Sequence, residues 1–509
     1  MNLKTANIFN DHMVLQRNKP IKVWGKANPD VKVRVCLLND EAETFSDFKG
    51  NWKVELKPRS AATNVTIMVC TDEETIQYTD VQIGEVWLAG GQSNMEFFMR
   101  YDKNYEDTVR ICEDEGIRFY DVPRIASDAS KDKDYSLFGF WRKSNPQNCQ
   151  YFSAVGYYFA RELRKALDVP IGIIGCNFGG SRACSWMDED TVKKYGEVWL
   201  EDYEAGLKNI PDMEKAQRAY LEYEMTDKAH PFENKTLDML MYGVDGETLM
   251  KRAKMFESAE TVSPAAYIGP WHEQRPAGLY HHMLRTICPY SIKGVIWYQG
   301  ESDEKHPEIY ADMMEGLIRC WRSDWNDPFP FLMTQLAPFG EVVGNGGREY
   351  PKIREQQDKV TNRLKDVFCA SIGDVGDLYD IHPKEKKPVG ERLALLARGH
   401  VYHENLLCDA PVLCEGKLEK NNIILTFKFA DGGLHLEGNR INALSLFSKD
   451  RKLSEDDYTE KVLDNQIVLC VDEKEDISSI WVSFAEEAFY KVNLYNASGI
   501  PVKPFIWRG

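Results

Sequence analysis

No run of eighteen or more apolar residues occurs in this chain, so no membrane-spanning helix is expected. Zinc-type spacing is missing too: there is no C-x-x-C pair and no His/Cys cluster. The twelve cysteines, among them Cys36, Cys70, Cys112, Cys149, Cys176 and Cys184, are scattered and read as buried small apolar groups in a reducing compartment. Neither a P-loop nor a Rossmann glycine fingerprint is present. Positive charge is short: 63 Lys and Arg stand against 80 Asp and Glu, a formal net charge of -17. That balance argues against nucleic acid and against anionic membrane surfaces as partners. Repeats and low-complexity tracts are absent. The first ten residues, Met1 to Asn10, lack an apolar signal core, so a cytoplasmic location is expected, with secretion only if a leader has been removed.

What is present is an ordinary globular composition, 43% hydrophobic and 28% charged, over 509 residues, enough for two or three domains. Residues 1–81 alternate short β-type runs (Ile21–Trp24, Val31–Val35, Trp52–Leu56) with turns and read as a small β domain. From 82 to 404 strands alternate with helical stretches. Ser153–Leu167, Tyr310–Trp325 and Glu391–His400 read as helices; Pro170–Ile174, Lys293–Tyr298 and Phe329–Thr334 read as strands. Such alternation implies a mostly parallel sheet covered on both faces. Within it, residues 187–262 are charged and helix-prone, an insertion expected near the ligand edge of the sheet or at a subunit contact, or else a surface excursion. Residues 405–509 return to strands such as Asn422–Phe429, Gln466–Val471 and Ile480–Phe484, fitting a C-terminal β-sandwich.

Four polar motifs fall at strand ends in the central region. The first is Gly90-Gly91-Gln92-Ser93-Asn94 after the apolar run Val86–Ala89: the glycines permit a tight turn that leaves Ser93 in the crevice where open α/β sheets bind ligands. The second, Asp377 to Lys384, carries His382 with Asp380 close by. A serine hydroxyl needs a base to take its proton, and the base needs a carboxylate to orient it. Asp374 and Asp377 compete with Asp380 for that role. The third, Gly175 to Trp186, offers Gly179 and Gly180, whose backbone N–H groups can face an oxyanion, although a plain strand-to-helix turn has the same look. The fourth, Trp297 to Asp303, offers Gln299 as an amide donor to that oxyanion and Glu301 as a loop brace or a ligand for sugar hydroxyls. Nucleophile, base, orienter and oxyanion donors together form an acyl-transfer set.

Gly91–Met95, Gly179–Ser181, Trp297–Ser302 and Asp380–Pro383 resemble the blocks of the SGNH-hydrolase superfamily, and more narrowly its sialate O-acetylesterase branch of carbohydrate esterases. Asp11–Arg17 and Arg275–Tyr280 are also typical of that branch, and the resemblance covers most of residues 8–400. It implies a flavodoxin-like three-layer α/β/α hydrolase domain flanked by small N-terminal and C-terminal β domains. It implies a Ser-His-Asp mechanism that needs neither metal nor other cofactor and removes O-acetyl groups from sugars. Carried over by position, Ser93 is nucleophile, His382 base and Asp380 its partner, with the backbone of Ser93 and Gly180 and the Gln299 side chain as oxyanion hole. The chain departs from the superfamily in spacing Asp380-x-His382 rather than Asp-x-x-His, and in having Asp303 where Asn is common.

The resemblance leaves the sugar open between acetylated sialic acid and acetylated plant polysaccharide. Arg182, with Arg100 and Arg275 behind it, is the candidate for a sialate carboxylate. Trp297, Trp186 and Trp271 are candidates for stacking on sugar faces, against the more ordinary role of Trp in core packing. Two other readings stand beside the esterase: a carbohydrate-binding assembly with an inert hydrolase domain, and a lipase or thioesterase, for which no apolar acyl channel is evident. Oligomeric state is not legible.

Overall fold

The computed structural model describes residues 2–130, 138–222, 266–340, 347–449, 451–472 and 474–509, with Met241 and Thr248. The central sheet is built from β1 (Thr75–Gly91), β2 (Asp114–Asp121), β3 (Trp141–Ser144), β4 (Ile171–Asn177), β5 (Gly294–Tyr298), β6 (Phe331–Thr334) and β7 (Val367–Ala370). Their order is β3-β2-β4-β1-β5-β6-β7. Neighbours run parallel except β3, which is antiparallel to β2. Every residue of β4, β5 and β6 is buried, as in a sheet covered on both faces.

The sheet's central strand is β1, where the chain order reverses: β4 lies on one side and β5 on the other. Asn177 of β4 and Tyr298 of β5 both pair with Gly91, so the three strands end level with one another. The crevice beyond such a reversal is where open α/β sheets place their ligands. Three of the four sequence motifs begin at these strand ends.

The expected helices are present. Ala154–Leu167 starts at Ser153, whose Oγ accepts from the N–H of Gly156 at 3.0 Å. It packs on Lys387–Leu396, where Gly390 is needed because a Cβ would come within 2.6 Å of Tyr158 Cβ and the Val155 carbonyl. Tyr310–Trp325 packs beside Tyr350–Arg363. No helix of the described residues is long and apolar enough to cross a membrane.

The boundary expected at 81/82 falls inside one strand. From Thr75 to Asp80, β1 alternates exposed with half-buried residues and pairs with Ala62–Cys70; from Val81 onward every residue is buried. The N-terminal sheet and the central sheet are thereby one continuous hydrogen-bonded ladder. A three-stranded sheet of Lys4–Thr5, Ile21–Lys26 and Asn51–Leu56 lies apart from that ladder. Residues 412–508 form further antiparallel sheets around an apolar core of their own, including Leu425, Ile467, Val482 and Leu494. That unit reaches the central α/β region through Ala488 O to the N–H of Phe339 (3.0 Å) and Gly373 O to the N–H of Val492 (3.2 Å). The charged segment after 187 contributes helices Glu189–Tyr195, Glu197–Lys208 and Met213–Glu222. Its remainder to 262 lies outside the described residues, apart from Met241 and Thr248.

Candidate active site

Ser93 owes its place to the two glycines before it. A Cβ on Gly91 (φ +134°) would stand 2.1 Å from the Tyr298 carbonyl, and one on Gly90 2.8 Å from the Trp297 ring. Only glycine lets β1 and β5 close to that distance and then turn. Ser93 opens a one-turn helix, Ser93–Glu96, and is partly exposed while Gln92, Asn94, Met95 and Glu96 are buried. Its Oγ lies 2.8 Å from Nε2 of His382, across 289 residues of sequence.

Burial pushes the His382 imidazole down to about 4; the nearby Asp380 carboxylate and Glu96 oppose this, while Lys386 and Lys384 add to it. The ring is therefore neutral at ordinary pH, the state a base requires. Asp380 departs from the expected arrangement. Its Oδ1 accepts from the backbone N–H of His382 at 2.8 Å, and its Oδ2 pairs with Lys384 Nζ at 2.6 Å. No carboxylate of the described residues lies in ion-pair reach of the His382 ring. One intervening residue gives Asp380 the geometry of a local turn rather than reach to Nδ1. The competing acids are engaged elsewhere: Asp374 pairs with Arg392, both oxygens at 2.7 Å, and Asp377 Oδ1 accepts from the N–H groups of Tyr379 and Asp380.

The backbone N–H groups of Ser93 and Gly180 have no acceptor among the described residues, and Gly180 takes the left-handed conformation (φ +80°). Gln299, expected as a third donor, is not free. Its Nε2 donates to Ser181 O (3.2 Å) and Asp303 Oδ2 (2.5 Å), its Oε1 accepts from Tyr310 OH (3.1 Å), and it is wholly buried. Gln299 and Asp303 instead pin the third motif to the fourth, since Asp303 Oδ2 also accepts from the N–H of Ala183 at 3.0 Å.

The expected sugar-contacting residues divide. Trp297 is wholly buried, set edge-on to Trp186 and Trp321, and Trp186 donates to Ser181 Oγ at 3.0 Å; Trp271 sits in a buried cluster with Ile210 and Tyr220. All three are core, because their neighbouring strands and helices leave no ring face open. Glu301 is buried as well and braces the site by accepting from Asn94 Nδ2 at 2.6 Å. Arg100 is buried against Tyr101 and Tyr151, and Arg275 packs over Gly278. Arg182 is different. It is half-buried, stacked 4.0 Å over the Trp199 ring of the inserted helices, and no carboxylate of the described residues pairs with it.

Sequence reasoning missed three residues. Glu96 joins the N–H of Gly179 (2.6 Å) to Arg124 (3.1 Å), and Asn94 and Lys386 form a buried contact beside Ser93 and His382. Asn94 and Glu96 closely follow Ser93 in sequence, which was the available signal; Lys386 had none. Outside the site, His400, Cys408 and Asp409 come within 4.8 Å of one another, a grouping invisible in their spacing; His400 and Asp409 bond at 3.0 Å.

Residues 263–396 match the family model described as carbohydrate esterase, sialic acid-specific acetylesterase. The mouse sialate O-acetylesterase is 25% identical over 463 residues, 83% of this chain and 78% of that protein. The human one is 24% identical over 444 residues, 80% of this chain and 73% of that protein. Among solved structures, a carbohydrate acetylesterase from Xanthomonas citri superposes with a TM-score of 0.74 at 27% identity, covering 99% of both chains. By the matched family model, these relatives and this structure, the chain is similar to the sialate O-acetylesterases among the carbohydrate esterases, and it is a carboxylic-ester hydrolase.

Proposed function

We propose that the protein removes O-acetyl groups from sialic acids through an acetyl-enzyme on Ser93, in a flavodoxin-like hydrolase domain with β units at either end. The observation that carries the reading is the 2.8 Å hydrogen bond between Ser93 Oγ and His382 Nε2 at the level ends of three parallel strands. With Nε2 unprotonated, His382 accepts the Ser93 proton as Oγ attacks the acetyl carbonyl carbon. The N–H groups of Ser93 and Gly180 face the oxyanion that develops. His382 then gives its proton to the departing sugar oxygen, leaving acetyl-Ser93. Water enters, His382 takes its proton, and acetate leaves as Oγ is reprotonated. Asp380 serves by holding the His382 backbone and by its charge beside the imidazolium, rather than by touching the ring.

Sialate differs from neutral acetylated sugars in its carboxylate. Arg182, two residues past Gly180 and in no ion pair with a carboxylate among the described residues, supplies the planar pair of donors that a carboxylate fits. Stacking on Trp199 fixes the guanidinium plane, and the buried Asp303 carboxylate acts on its charge from beyond ion-pair distance. Acetate release from O-acetylated N-acetylneuraminic acid and from acetylated xylan, measured side by side for the native protein and Ser93→Ala, tests the reading. Release from the sialate, abolished in the variant, is the expected result; release mainly from xylan would keep the chemistry and overturn the substrate.

A further inference from the structure

The residue after the nucleophile is tied to the residue before the base. Asn94 Nδ2 donates to Glu301 Oε1 at 2.6 Å and to the Ile381 carbonyl at 3.0 Å, and Asn94 Oδ1 accepts from Lys386 Nζ at 2.5 Å. Asn94 and Lys386 are each 1% exposed. Turning the Asn94 amide by half a revolution would set its oxygen against the Ile381 carbonyl and the Glu301 carboxylate, and its NH₂ against an ammonium. All three contacts would become repulsive. An ammonium has donors and no acceptor, so Lys386 allows only the orientation in which Nδ2 faces Ile381.

Lys386 is itself held firmly. Its backbone N–H donates to Asp102 Oδ2 at 2.8 Å, and its ammonium lies 4.6 Å from the Phe97 ring centre and 5.6 Å from that of Tyr298. A buried cation is costly unless its surroundings compensate. Here the amide oxygen, two ring faces and the nearby carboxylates of Asp380, Glu301 and Asp102 do so. No part of so buried a side chain reaches a substrate.

We propose that Lys386 is a positioning residue for ester hydrolysis: by fixing the Asn94 amide on the Ile381 carbonyl, it keeps His382 at hydrogen-bond distance from Ser93. This rests on the Ser93–His382 reading above. Lys386→Met keeps the stem and removes the donor. We expect its kcat to fall about 10- to 100-fold with KM unchanged, since small misplacements of a base cost about that much. The acid limb of kcat/KM should also move to higher pH. The ammonium of Lys386 acts with that of Lys384 to disfavour the imidazolium, Asp380 and Glu96 favour it, and Asp102 and Glu301 face Lys386 itself. If Lys386 acts through Asn94, Lys386→Met adds nothing to Asn94→Ala.

Wild-type kcat and an unmoved acid limb in folded Lys386→Met would overturn the proposal, as would additive losses in the double variant. Should Lys386→Met fail to fold, Asn94→Ala carries the test: loss of kcat at constant KM is expected, and wild-type kcat overturns it. Ser93→Ala is assayed alongside. An active Ser93→Ala would overturn the underlying catalytic reading; an inactive one beside a fully active Lys386→Met would overturn the positioning role alone.

Discussion

Asp380 stands two residues before His382, and its carboxylate oxygen accepts from that residue's backbone N–H, at 2.8 Å, not from its ring. The carboxylate therefore shapes the loop and sets its charge near the His382 ring. Asp380→Asn keeps the acceptor and removes the charge. Since Asp380 is the foremost influence holding the His382 pKa up, its loss lowers that pKa further and weakens the base. We expect kcat to drop less than in Ser93→Ala and the acid limb of the pH–rate profile to shift to lower pH. Steady-state kinetics across pH checks this; an upward shift would mean that the carboxylate does not act through its charge.

In the proposed mechanism Ser93 and His382 act as one unit. Ser93→Ala and His382→Ala should each lower kcat by about 10³-fold or more, and the double variant should be no worse than either. Multiplicative losses in the double variant would show that the two act in separate steps.

The burial of neutral His382 also links folding to pH. Its native pKa of about 4 lies below the usual 6.5, so between these values the unfolded chain binds a proton that the native chain does not. Its contribution to stability is full above about pH 6.5 and is lost as pH falls toward 4. Lys386, pushed down by burial to about 7 from 10.5, adds stability as pH rises between those values. Chemical denaturation of His382→Ala should show a flatter dependence between pH 4 and 6.5 than the native protein, with no change in slope above pH 7.

Arg182→Ala tests the choice of sugar. A charge-assisted carboxylate contact is worth about 1.5–3 kcal/mol, so KM for the sialate ester should rise about 10- to 100-fold. Hydrolysis of acetylated xylan should be untouched. Equal losses on both substrates would assign Arg182 to packing on Trp199.

Much of this was legible in the chain, for physical reasons. Tyr310–Trp325 has the bounds its helical periodicity gives, and the level ends of β1, β4 and β5 put Gly91, Asn177 and Tyr298 side by side, so motifs far apart in sequence meet. What was not legible depends on packing. Gln299 and Trp297 carry the right chemistry at a strand end, yet their environment consumes it: both amide N–H groups of Gln299 find buried acceptors, and both faces of Trp297 are covered. Lys386 is one of several lysines close to His382 in the chain, and nothing in a sequence says which ammonium is driven inside. Nor does the sequence show that β1 runs through 81/82 without a break as it changes from half-exposed to buried.

The most direct test of the account is rapid quenching of the native protein with an activated acetyl ester, followed by mass spectrometry of the peptide that contains Ser93. The account predicts one added acetyl group on Ser93, formed before acetate is released and absent from Ser93→Ala. Turnover with no acetyl on Ser93, or with the acetyl on another residue, would contradict it.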